Sequence, residues 1–216
     1  MKLPVYSYSF LNTYDTCPKQ SFHRYVLKDI PKQQTEQMKW GDTVHKGFEE
    51  RLGKGTPLPA ELARYEPYAV TLEPFKPQVE MRLGIDKAGN ACAFFDDRVW
   101  LRGKADVAIR QGSVALLLDW KTGKRREDGY ELEIQSLMLR AAWPDVERVT
   151  GRYVWLQDNT IGKAHDVTRT NETFEALQEK TDEIEHGFKT GYWPTKQGPL
   201  CGWCPVLSCG FNRVGK

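Results

Sequence analysis

Two β-rich segments, residues 99–110 and 114–122, constrain the fold of this chain most strongly. They lie on either side of residues 111–113 (Gln-Gly-Ser), a sequence typical of a turn, and so predict an antiparallel hairpin. A tight turn there places Asp106 close to opposite Asp119. Directly paired strand residues lie about 5 Å apart at Cβ, which is close enough for two carboxylates to share a divalent cation. Without a cation, we expect these two carboxylates to repel each other.

The second strand ends in Asp119, Trp120 and Lys121, after an apolar run. Because side chains alternate along a strand, Asp119 and Lys121 are expected on one face and Trp120 on the other. Two carboxylates with an ammonium group are what metal-assisted phosphodiester hydrolysis requires, since the carboxylates hold a cation and the ammonium offsets developing charge. The alternative is a surface hairpin whose Asp and Lys form an ordinary salt bridge.

Two helices predicted on either side of the hairpin carry further polar residues. Residues 35–52 have a buried stripe at four-residue spacing, and His45 lies beside it, as either a packed core histidine or a ligand. Residues 130–143 have an apolar face that ends before Pro144, with Gln135 at its border. Taken alone, Gln135 would be a surface residue.

Taken in order, these residues resemble the RecB-like branch of the PD-(D/E)XK nucleases, whose pattern is a helical His, G-x-x-D, D-x-K on the next strand and a helical Gln. The matching residues are His45, Gly103, Asp106, Asp119, Lys121 and Gln135. The resemblance implies a metal site formed by His45, Asp106, Asp119 and the backbone carbonyl of Trp120. It also implies that Lys121 is the catalytic lysine, and that Gln135 lies near the substrate phosphate or the attacking water.

Five cysteines provide a second pattern: Cys17, Cys92, Cys201, Cys204 and Cys209. The last three form C-x2-C-x4-C among glycine and proline residues that favour tight turns, while Cys17 lies near the other terminus. Four thiolates suit either zinc or a [4Fe-4S] cluster, and free cysteines or a disulfide are the alternatives. The resemblance favours iron, because iron-sulfur members such as the CRISPR adaptation nucleases and the AddB-type nucleases have one cysteine before the catalytic core and three after it. Cys92 lies outside this pattern.

Further strands are predicted at residues 76–86 and 148–157, and a helix at residues 171–189. The order of elements predicts an α/β fold with a restriction-endonuclease-like core, in which helices flank a central mixed β-sheet. We expect one nuclease domain over residues 1–216. Its terminal segments, at about residues 9–27 and 195–213, would be joined by the four-cysteine cluster.

Nucleic-acid contacts are suggested by the distribution of charge rather than by its total, since the formal net charge is only +2. Lys124, Arg125 and Arg126 follow the active strand directly and would suit phosphates entering the site. A solvated loop would have the same composition.

The resemblance implies an Mg2+- or Mn2+-dependent nuclease that degrades single-stranded DNA from its ends, often with 5′ to 3′ preference. The chain has no phosphate-binding loop of an ATP motor. It is therefore expected to be a stand-alone nuclease, or a subunit whose motor is another protein such as a helicase or recombination partner. No membrane span or signal peptide is evident, and the expected setting is the cytoplasm of a prokaryotic or phage-infected cell.

The alternatives to an exonuclease are a structure-specific or single-strand endonuclease, and a catalytically idle nucleic-acid-binding module. The oligomeric state is left open.

Overall fold

A computed structural model describes residues 3–30 and 34–214 of the chain. The chain separates into two compact units, Gln34–Glu175 and a smaller unit of Met1–Gln33 with Ala176–Lys216. The expectation of one nuclease domain across all residues stays a prediction.

The larger unit contains a mixed β-sheet. Its strands are β1 (Gln78–Ile85), β2 (Leu101–Gln111), β3 (Val114–Lys121), β4 (Arg148–Trp155), β5 (Thr160–Ile161) and β6 (His165–Asp166). Strands β1 to β5 lie in sequence order, and β6 pairs with β4. Pairing is antiparallel between β1, β2 and β3 but parallel between β3 and β4. The predicted hairpin and the mixed α/β sheet flanked by helices are therefore confirmed.

Helix α5 provides the crossover that a parallel β3–β4 pair requires, and covers one face of the sheet. Helix α5 spans Tyr130–Ala142. The helices before it in the chain are α1 (Tyr8–Thr16), α2 (Pro18–Ser21), α3 (Glu36–Lys54) and α4 (Glu66–Leu72). The close approach of α5 to β4 depends on Gly151, where an added Cβ would lie 3.0 Å from Cβ of Leu132. This packing fixes α5 on the face that carries Asp119 and Lys121.

Helices α3 and α4 cover the opposite face. The ring of Phe48 in α3 stacks on Trp120 with centroids 4.0 Å apart, which agrees with the predicted alternation of Asp119, Trp120 and Lys121. The buried core on this face includes Val44, Phe48, Leu62, Tyr65, Val107, Leu118, Trp120 and Val154. Thr35 begins α3 by accepting a hydrogen bond from the Met38 N–H, and Gly55 ends it in a left-handed conformation.

The smaller unit joins the N-terminal helices to the C-terminal segment. It contains α1, α2, a π-helical turn (Phe22–Leu27) and a 3-10 turn (Pro199–Trp203), and α6 (Thr170–Thr190) leads into its C-terminal part. The Lys19 N–H donates to the Pro194 carbonyl at 3.1 Å, and the Phe22 and Trp193 rings stack at 5.0 Å. Within the described parts of the chain, no helix is long and apolar enough to cross a membrane.

Candidate metal centre

The sheet register aligns acidic residues from neighbouring strands. The β2–β3 pairing ends with Val107 and Leu118, so Asp106 and Asp119 lie directly beyond the last pair, and Asp119 in turn pairs with Tyr153 of β4. Both aspartates are buried, and the Trp120 N–H donates to Oδ2 of Asp106 at 2.8 Å. The hairpin thus holds two buried carboxylates side by side, as the sequence predicted.

His45 of α3 faces this row rather than the apolar core. Its Nδ1 lies 3.2 Å from Oδ1 of Asp106 and 3.4 Å from Oε1 of Glu80. Among the described residues, His45, Glu80 and Asp106 form a group of potential metal ligands whose atoms all lie within 4.8 Å of one another. Glu80 has a φ of +48°, which is rare for a non-glycine residue and is typical of strained functional positions.

Lys121 and Gln135 both contact Asp119. Lys121 Nζ lies 2.6 Å from Oδ2 of Asp119 and 2.5 Å from Oε2 of Glu131, and it is 5.4 Å from the centroid of the Tyr153 ring. Gln135 Nε2 donates to Oδ1 of Asp119 at 3.0 Å. The Asp119 carboxylate therefore contacts the Gln135 amide on α5 and the Lys121 ammonium group on its own strand, β3.

The charges in this row strongly perturb one another. Burial and the charge of Asp119 raise the pKa of Asp106 to about 6. Burial opposes protonation of His45, yet hydrogen bonds to Asp106 and Glu80 raise its pKa to about 10. Burial and Asp119 likewise raise the pKa of Glu131 to about 7. Burial acts against the charge of Lys121, but Asp119 and Glu131 raise its pKa well above the usual value.

These residues fit a divalent cation. Oε1 of Gln135 is buried without a hydrogen-bond partner among the described residues, and the Lys121 ammonium lies 2.6 Å from Oδ2 of Asp119. Burial and the neighbouring carboxylate raise the pKa of Asp106, and a cation bound beside such carboxylates stabilises their charged form. Carboxylate oxygens are ligands that Mg2+ and Mn2+ accept. The roles of His45, Asp106, Asp119 and Trp120 as metal ligands stay predictions. The catalytic roles of Lys121 and Gln135 stay predictions as well.

The predicted basic loop carries guanidinium groups with local partners. Arg125 pairs with Glu127 and Arg126 with Asp128, each at 2.8 Å, and both arginines are largely exposed. Exposed ion pairs of this kind contribute little energy and do not prevent a guanidinium from binding phosphate. DNA binding by Lys124, Arg125 and Arg126 stays a prediction.

The smaller unit contains a recess bordered by four of the five cysteines. Its volume is about 310 Å³, and Cys17, Cys201, Cys204 and Cys209 all line it. Every cysteine carries a free thiol, and burial raises the pKa of Cys204. These cysteines, all of which belong to described residues, are not among the groups of three or more side chains placed to hold a metal ion. The four-cysteine cluster stays a prediction.

Sequence reasoning did not identify Glu80 or Glu131. Glu131 lies four residues before Gln135 on α5, so helical spacing placed it on the same side of that helix and was a usable signal. Glu80 reaches the site because β1 pairs with β2, with Val79 opposite Val107. No local pattern specifies that long-range register.

Comparisons with known proteins agree with this geometry. A family model described as PD-(D/E)XK nuclease superfamily matches residues 67–209. Comparison with curated proteins gave no significant match. One similar solved structure, described as the crystal structure of SSO0001, is 16% identical with a TM-score of 0.54, over 98% of this chain and 89% of that one. At this identity the structural likeness concerns the fold alone.

Proposed function

Because the chain belongs to the PD-(D/E)XK nuclease superfamily, we propose that it is a RecB-like deoxyribonuclease that degrades single-stranded DNA from its ends, with 5′ to 3′ preference. The observation that carries the proposal is the row of Asp106, Asp119 and Lys121 across β2 and β3, with His45 facing it. The preference for single-stranded ends rests on the resemblance of the ordered motifs to small iron-sulfur nucleases.

His45, Asp106 and Asp119 would hold Mg2+ or Mn2+, with Glu80 close enough to contribute. When bound, such an ion polarises the phosphate and lowers the pKa of a water molecule. Gln135 is bound to Asp119 at 3.0 Å and orients that carboxylate.

Lys121 would act as a charged donor rather than as a base. Two carboxylates hold its ammonium group and raise its pKa, so the side chain remains protonated at neutral pH. A preorganised positive charge stabilises negative charge that develops on the phosphate in the transition state. Removing Lys121 should therefore lower the rate of hydrolysis.

The cysteine recess would hold a [4Fe-4S] cluster. The four thiols border one recess. Four thiolates suit either zinc or a cluster, and the resemblance of the cysteine order to that of the iron-sulfur nucleases favours the cluster. The cluster would then staple the N- and C-terminal segments of the smaller unit.

The decisive experiment compares matched linear and circular single-stranded DNA with anaerobically purified protein in Mg2+ and in Mn2+. We expect loss of the linear form only, and faster loss when the 5′ end is free than when it is blocked. Cutting of the circle would assign an endonuclease, including one specific for branched structures. Binding of both forms without cutting would assign an idle binding module.

A further inference from the structure

We infer that an exposed surface on β1 and β2, beside the candidate metal centre, binds unpaired DNA bases and their phosphates. The inference rests on the proposed nuclease function and names the form of substrate that this site accepts. The surface, called here the arginine–phenylalanine surface, consists of Arg82, Phe94, Phe95, Arg102 and Lys104.

Sheet register brings its three cationic side chains together. Arg82 pairs with Lys104, and Gly84 pairs with Arg102. Directly paired residues, and residues two apart on one strand, point to the same face of a sheet. The side chains of Arg82, Arg102 and Lys104 therefore lie on one face of the sheet. Gly84, which pairs with Arg102, lies on the same face but has no side chain.

Gly84 leaves room for the loop that carries the two phenylalanines. A Cβ at Gly84 would lie 3.1 Å from the Cys92 carbonyl oxygen and 3.2 Å from Cγ2 of Val99, while the Cys92 N–H donates to the Gly84 carbonyl at 2.9 Å. The loop between β1 and β2 thus lies on this same face. It places Phe94 and Phe95 against the arginines.

Two guanidinium groups converge on this pair of rings. Cζ of Arg82 lies 5.9 Å from the Phe94 ring and 5.8 Å from the Phe95 ring, and Cζ of Arg102 lies 4.8 Å and 5.4 Å from the same rings. Among the described residues, neither Arg82 nor Arg102 pairs with a carboxylate, and the nearby Asp96 is paired with Arg98. Two like charges beside each other, without an acidic partner, attract an anion.

The apolar part of the surface is also available. Phe95 is 71% exposed, which is unusual for a phenylalanine in a folded unit, and the face of its ring is able to stack on a flat ligand. Aromatic rings for bases, set beside cations for phosphates, are the means by which proteins bind unpaired strands. Bases within a duplex are stacked on one another and offer no free face.

The surface is continuous with the candidate metal centre. Lys104 Nζ lies 2.7 Å from Oε2 of Glu80, whose other oxygen faces His45. Gly84 lies four positions after Glu80 on β1, which corresponds to about 13 Å along the strand. A single strand whose scissile phosphate lies at the metal centre would therefore extend over this surface, whereas a substrate with only one phosphodiester would not reach it.

The test is fluorescence anisotropy with a short labelled oligothymidine, in EDTA so that binding is measured without hydrolysis. We expect Phe95→Ala to weaken binding about tenfold, because base stacking is lost. Phe95→Trp should restore the affinity.

The double variant Arg82→Ala/Arg102→Ala tests the phosphate contacts. It should reduce the slope of log Kd against the logarithm of the salt concentration by about 1.4, because two phosphate contacts are lost. Phe75→Ala and Arg148→Ala, which remove an exposed phenylalanine and an exposed arginine elsewhere in the same unit, serve as controls.

Affinities of the surface variants equal to those of the controls would overturn the inference. An equal loss of affinity for a blunt duplex on Phe95→Ala would overturn the assignment to unpaired bases. The nuclease proposal is tested separately by adding Mg2+. If the wild-type protein binds the strand at this surface but does not cut it, only the nuclease proposal is contradicted. If the wild-type protein cuts the strand and Phe95→Ala binds it with unchanged affinity, only the inference about the arginine–phenylalanine surface is contradicted.

Discussion

At the scale of single residues, Lys121 is surrounded by negative groups. Its ammonium contacts Asp119 and Glu131 and lies over the Tyr153 ring, and it is only partly exposed. A partly buried ammonium needs such partners to stay charged. We therefore propose that Glu131 is a positioning residue, which would act through Lys121 rather than on the substrate.

Glu131→Gln should lower kcat for DNA hydrolysis about 10-fold or more, with little change in KM, because a charge-assisted hydrogen bond to Lys121 is lost. Steady-state kinetics on a linear single strand measures this. Glu133→Gln, which changes the same residue type on the same helix, is the control. Equal kinetics for the two variants would show that Glu131 does not position Lys121.

Metal binding should release protons, because His45 and Asp106 have raised pKa values of about 10 and about 6 without metal. His45 is protonated below its pKa and must lose that proton to bind a cation, so the affinity should rise with pH between pH 6 and pH 9. Titration calorimetry of Mn2+ in buffers of different ionisation enthalpy should reveal about one proton released per ion at pH 7. A heat of binding that does not depend on the buffer would contradict this prediction.

At the scale of elements, the site depends on how α5 lies against β4. Gly151 has no side chain, and this allows the backbone of α5 to approach at Leu132, one residue after Glu131. The sequence was sufficient to predict α3, α5 and the β2–β3 hairpin, because periodicity and turn residues are local signals. It did not reveal Glu80 as a neighbour of His45, because the β1–β2 register and the positive φ of Glu80 depend on long-range packing.

Gly151→Ala should destabilise the protein by about 1–3 kcal/mol, because the added methyl group would contact Leu132 at 3.0 to 3.2 Å. Leu132→Ala should cost about 2–5 kcal/mol by leaving a cavity at a fully buried position. The loss in free energy of unfolding in the double variant should be smaller than the sum of the two single losses, because the new methyl group fills part of the cavity. Urea denaturation measures all three, and additive values would contradict close packing of α5 on β4 at this point.

At the scale of the whole molecule, the chain combines two compact units. The larger unit has a buried core on a mixed sheet. The smaller unit is formed by segments from both ends of the chain and contains the cysteine recess. The sequence spacing of the cysteines predicted that both ends contribute to one site, but the division into units depends on packing that spacing does not reveal.

Cys204→Ala should abolish iron binding and lower the melting temperature, because one of four ligands is removed from a cluster that staples two distant segments. Visible absorption and thermal unfolding of anaerobically purified protein measure both effects. Cys92→Ala, which lies outside the recess, should retain the iron. A Cys204→Ala protein with wild-type iron content and melting temperature would rule out the proposed cluster.

We propose that the protein hydrolyses DNA at the row of Asp106, Asp119 and Lys121 with the help of a divalent metal. The most direct test of this claim is the rate of degradation of a linear single strand as Mg2+ is increased, with wild type and Lys121→Ala at equal concentration. We expect a wild-type rate that saturates with Mg2+ and vanishes in EDTA, and a loss of about 100- to 1,000-fold in Lys121→Ala. Equal rates in the two proteins, or a wild-type rate that does not depend on the metal, would contradict the claim.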